Sequence, residues 1–196
     1  MESLGLPVQT FASALEFLAI KPVEAEGCLI LDVNMPGMNG LDLQQEMNDS
    51  GIYLPVIFLT GHGDIPMTVH ALKAGAVHFL TKPVIEDELM NAIRQALEND
   101  REARSERAEV RKLRECFDLL SPRECQVMRL VVSGRLNKEI AYELGVSERT
   151  IKLHRGQVMR KMRAESLADL VKQTEKLGPL RLGVRNGGEL SQASSS

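Results

Sequence analysis

Three short apolar runs punctuate the first half of the chain: Cys28-Leu-Ile-Leu31, Pro55-Val-Ile-Phe-Leu59 and Ala76-Val-His-Phe-Leu80. Runs this short and rich in branched residues, bounded by turn formers, predict strands buried on both faces of a parallel sheet. Between them the period becomes helical. Asn39 to Met47 puts Leu41 and Met47 on an inward stripe and leaves Gln44, Gln45 and Glu46 polar. Ile65 to Lys73 reads as a helix capped by Asp64 and stopped by Gly75. From Glu86 onward, Leu89, Ile93 and Leu97 recur at helical spacing. Upstream, Val8 to Phe11 alternates as a short strand, and Ala12 to Leu18 follows as a short helix with Ser13 a possible cap. Strands alternating with helices predict an α/β domain.

The pattern changes after residue 98. Asn99 to Glu115 is almost wholly charged and lacks proline and glycine, which predicts a continued or solvated helix. Val110, Leu113 and Phe117 form either a weak coiled-coil seam or a docking edge for the next domain. Four short helices follow. Ser121-Pro-Arg-Glu124 carries a capping box with proline at the first helical position, and its helix buries Cys125, Met128 and Val132. Asn137 opens a second helix to Leu144, Gly145 turns the chain, Ser147 caps a third to Met162, and Ser166 opens a fourth to about Lys176. Two helices joined by a tight glycine turn have helix-turn-helix geometry. The Gly- and Ser-rich end is expected to be disordered. The expected divisions are an α/β domain at 1–98, a helical linker at 99–117, an all-α domain at 118–177 and a tail at 178–196.

Composition adds an asymmetry. Residues 1–99 hold 13 acids against 4 Lys or Arg, whereas residues 100–196 hold 14 against 20. An acidic half joined to a basic half directs any polyanion to the second half. The sequence shows neither a membrane-spanning apolar run nor a secretory signal. Cys28, Cys116 and Cys125 lack metal-ligand spacing, so a cytoplasmic location without a membrane partner is expected.

The candidate chemistry lies at the strand ends. Asp32, Thr60 and Lys82 follow the three apolar runs, and in a parallel sheet those ends share one edge. An acid, a hydroxyl and an ammonium converging there are suited to accept and hold a phosphoryl group. On Asp32 alone, a carboxylate that merely caps the next helix is the competing reading. His62, His70 and His78 fall on a loop, a helix and a strand, and read as surface residues rather than a metal cluster.

With these residues in place, the chain resembles a NarL/FixJ-type two-component response regulator, within the group controlling aromatic-compound catabolism such as that of styrene. The resemblance implies a flavodoxin-like receiver in which Asp32 is the phosphoacceptor for a histidine kinase. It makes Thr60 the switch hydroxyl, Lys82 before cis-Pro83 the lysine, and Phe79 the aromatic rotamer switch. It implies Mg²⁺ held by Asp32 and the backbone carbonyl of Asn34. The family's upstream acid pair, first strand and most of its first helix have no counterpart. The chain is therefore expected to be N-terminally truncated relative to the family, with a weakened metal site.

The run Leu120 to Met162 resembles the LuxR-type helix-turn-helix. On that resemblance Asn137, Lys138, Thr150, Lys152, His154 and Arg155 are the DNA-binding candidates, with Lys152 on phosphate and Arg155 on a base edge. Helical period turns Val146, Ile151, Val158 and Met162 inward. The resemblance further implies a homodimer on double-stranded DNA. The expected function is a phosphorylation-controlled transcription factor and not an enzyme. The alternative is a phosphorylation-independent DNA-binding regulator whose receiver only mediates dimerisation.

Overall fold

The computed structural model describes residues 6–20, 26–61 and 65–178, with only the backbone at residues 65–67 and 70. The expectations for the Asp64 cap, for His62, for the His70 side chain and for the tail beyond Gly178 lie outside the described residues.

Two compact units divide the chain, Met1–Ser105 and Glu106–Ser196. In the first, three parallel strands form a sheet in the order β1 (Leu29–Asp32), β2 (Val56–Thr60), β3 (His78–Thr81). Asp32 pairs with Leu59, and Thr60 with Thr81. Alternation splits the strands between two cores. Leu31, Val56, Phe58 and Phe79 pack with α1 (Ala14–Ala19) and α2 (Gly40–Asp49), whereas Ile30, Ile57 and Leu80 pack with Ala92, Ile93 and Ala96 of α4 (Glu86–Asp118). Burial on both faces explains why these strands read as unbroken apolar runs. The third helix, α3 (Ile65–Lys73), has the bounds that the helical period predicts.

Three local expectations change. Residues 6–11 form no strand. Alternation favours an extended backbone but supplies no ladder partner, and Phe11 instead meets Phe17 edge-on at 5.3 Å, while Val8 stays 48% exposed. The helix that follows starts at Ala14, where Ser13 Oγ accepts from the Glu16 amide at 3.2 Å. Gln44 belongs to the buried stripe of α2 with Leu43 and Met47, because its Nε2 donates to the Ala74 carbonyl at 3.2 Å.

Helix α4 runs unbroken for 33 residues through the charged stretch. Its acids and bases are not all solvated. Asp100 is buried, and its Oδ2 accepts from Arg104 Nε at 2.6 Å and from the Gly27 amide at 3.0 Å.

The second unit packs α5 (Pro122–Val132), α6 (Asn137–Leu144), α7 (Glu148–Met162) and α8 (Leu167–Leu177) around Val127, Met128, Ile140, Ile151, Val158 and Leu170. Cys125 and Val132 sit at the rim of this core, and Val127 and Val131 fill its centre. Leu113, Cys116 and Phe117 also join it, so these positions at the end of α4 pack within this unit. Gly145, at φ 65°, makes the left-handed turn between α6 and α7 that a side chain would strain.

Candidate functional site

Asp32 ends β1, Thr60 ends β2 and Lys82 directly follows β3, so the parallel sheet brings all three to one edge. The Lys82 amide donates to the Thr60 carbonyl at 2.7 Å, which fixes where the lysine leaves the sheet, and the Lys82–Pro83 bond is cis. Lys82 Nζ lies 2.5 Å from Asp32 Oδ2, and the Asn34 amide donates to Asp32 Oδ1 at 3.0 Å. The Lys82 hydrogen bond, helped by the Asn34 amide and opposed by partial burial, holds the Asp32 carboxyl below its ordinary value. Asp32 is thus an ionised, partly exposed carboxylate with a cation beside it.

Thr60 is fully buried. It lies on the sheet face that carries Phe58, two residues earlier. Phe79 pairs with Phe58 across the ladder, their ring centroids 6.2 Å apart. The hydroxyl and the aromatic ring therefore share one face of the sheet.

Gly40 is a site residue whose close approach periodicity does not reveal. Its amide donates to the Val33 carbonyl at 3.0 Å, and a Cβ there would stand 2.5 Å from the Asp32 carbonyl oxygen. Its place as the first residue of α2, directly after the cap Asn39, is the one available signal. Glycine lets α2 begin against the acid's own backbone.

Among the described residues no group of three His, Cys, Asp or Glu is placed to hold a metal, and His78 faces Gln95 Oε1 at 2.9 Å. For a hard dication the edge offers the Asp32 carboxylate and nearby loop carbonyls. That set fits Mg²⁺, which takes one or two carboxylates and completes its shell with water and phosphate oxygens.

In the second unit, α7 turns Ile151, Val158 and Met162 into the core, and Val146 packs at its edge. Arg149, Lys152, Leu153, Gly156 and Arg160 are exposed. Their spacing of three and four residues sets them along one side of the helix. Arg155 is placed differently: it is half-buried, and its guanidinium donates to Asn137 Oδ1 at 3.2 Å, bracing α7 against α6. Thr150 turns its hydroxyl to the cap Ser147 at 2.9 Å. Lys138 is exposed and His154 half-buried.

The start of α5 is held by a further group. Glu124 Oε2 accepts from the Ser121 amide at 2.7 Å and from Lys161 Nζ at 2.6 Å. Burial pushes the Glu124 carboxyl up, but Lys161 and the Ser121 donors outweigh it and leave the group below its ordinary value.

Comparison with known proteins agrees with both geometries. Residues 1–94 match the response regulator receiver domain family, and residues 118–174 match the bacterial regulatory proteins of the luxR family. Over 176 residues the chain is 51% identical to nodulation protein W of Bradyrhizobium diazoefficiens, covering 90% of this chain and 78% of that one. It is 51% identical over 177 residues to response regulator protein TodT of Pseudomonas putida, with the same two coverages. The solved structure of response regulator StyR matches with a TM-score of 0.76 at 46% identity, covering 89% of this chain and 88% of that one. No helix among the described residues is long and apolar enough to cross a membrane. The chain belongs to the two-component response regulators that join a receiver domain to a LuxR-type DNA-binding domain, a family of transcription factors.

Proposed function

We propose that Asp32 accepts a phosphoryl group from the phosphohistidine of a cognate kinase, and that this modification controls how residues 118–177 bind duplex DNA. The observation that carries the reading is the ionised Asp32 beside Lys82 at the shared strand edge. An Asp32 carboxylate oxygen forms a bond to phosphorus as the phosphorus–nitrogen bond breaks. The electron pair stays on the imidazole, which takes a proton from solvent. Joining two anions requires neutralised charge, and the Lys82 ammonium supplies part of it. Mg²⁺, when bound through Asp32 and the Asn34 carbonyl, adds Lewis-acid charge neutralisation. The Thr60 hydroxyl then turns toward a phosphoryl oxygen, and Phe79, on the same sheet face, follows into the space it leaves.

On the DNA side, the exposed cations of α7 bind phosphate, with Lys152 foremost and Lys138 of α6 beside the backbone. Arg155 is the base-edge candidate, held beside α6 by Asn137, and Thr150 and His154 border the contact. Residues 118–177 hold 12 Lys or Arg against 8 acids, which favours a polyanion. The protein works in the cytoplasm as a homodimer on paired half-sites, since one helix spans only a few base pairs.

The test is incubation with a small phosphodonor and Mg²⁺, followed by mapping of the adduct. Labelling at Asp32 that disappears in Asp32→Asn is expected. Labelling that survives Asp32→Asn overturns the assignment. The second unit has its own core and helix caps, which supports a second reading, DNA binding without phosphorylation. Duplex binding with no labelling would establish that reading.

A further inference from the structure

Gly156 occupies the middle of α7. Glycine is the least favourable residue after proline in a helix interior, because it has the most backbone freedom to lose. A structural reason for it would be a left-handed backbone or a neighbour too close for a side chain. Neither is present: the residue is helical, and a Cβ built there meets nothing within 4 Å. The surroundings point outward. Gly156 is exposed and lies on the side of α7 that carries Arg149, Lys152 and Arg160, with Leu153 beside it. Three cations around a bare stretch of backbone match a polyanion that approaches this side closely.

We infer that Gly156 is the point of closest approach between α7 and the base edges of duplex DNA, and that its missing side chain sets how deeply the helix seats in the groove. The flanking cations engage the phosphate rims, and the glycine lets the helix backbone reach the groove floor. This inference rests on the DNA-binding reading above.

The experiment compares the full-length protein with Gly156→Ala and Gly156→Ser, on a site selected by the wild type and on random duplex. Alanine here should raise the folding equilibrium about fivefold, so lost binding cannot be ascribed to unfolding. Binding to the selected site should weaken roughly tenfold or more, the scale of a lost base-edge contact, with a smaller loss on random duplex. Serine should weaken the selected site at least as much as alanine. Unchanged affinity, or an equal loss on both duplexes, overturns the inference. Wild-type protein that fails to bind any duplex overturns the underlying DNA-binding reading instead.

Discussion

At the scale of single residues, the strand edge at Asp32 depends on two contacts that test independently. Gly40→Ala would place a methyl carbon 2.5 Å from the Asp32 carbonyl, a contact relieved only by moving backbone. Overpacking of this kind costs about 1–3 kcal/mol, measurable by denaturant unfolding, and the displaced loop should also slow phosphodonor labelling. Full stability and full labelling in Gly40→Ala would show that the close approach has no role. The second contact is electrostatic. Asp32 titrates below its ordinary value of 3.8 because Lys82 and the Asn34 amide favour the carboxylate. A depressed folded value means that its stabilisation is complete above 3.8 and is lost as pH falls through the lower folded value. In Lys82→Met the Asp32 carboxyl, followed by NMR, should titrate closer to 3.8. An unmoved titration would separate the lysine from the acid.

Secondary-structure elements are where most of the architecture was legible. The three strands read as apolar runs because both their faces are covered, and the caps Ser13, Ser121, Ser147 and Ser166 stand where the sequence places them. Long-range partners were not legible. Asp100 sits in a run of charges that reads as solvated, but its acceptors serve a loop amide 73 residues away. The Val8–Phe11 alternation has the strand period without a ladder partner, so an aromatic contact takes its place. Glu124 was recognisable as a capping-box residue, but its bond to Lys161, 37 residues on, was not. That bond ties the start of α5 to the end of α7 and supports a prediction. Glu124→Gln keeps the shape and removes the charge facing Lys161, at a cost of about 1–3 kcal/mol. Because the Glu124 carboxyl lies below its ordinary value of 4.5, the wild-type advantage should be complete above that value and fade as pH falls through the lower folded one. Equal stability of the two proteins at neutral pH would assign the capping box alone to this end of α5.

On the scale of the whole molecule, the charge is divided: 13 acids against 4 Lys or Arg before residue 100, and 14 against 20 from there on. In the function proposed above, phosphorylation would add negative charge to the acidic half, at Asp32, and the basic half would read the consequence. The link between Asp32 and duplex binding is what distinguishes this protein, since each end alone suits a simpler one. The most direct measurement is the affinity of the full-length protein for its selected duplex, with and without a small phosphodonor and Mg²⁺, alongside Asp32→Asn. Coupling between two sites commonly amounts to roughly 5–150-fold. The wild type should change affinity within that range when the donor is added, and Asp32→Asn should not respond. Wild-type affinity indifferent to the donor while Asp32 is shown to be labelled, or an equal response in Asp32→Asn, would contradict it.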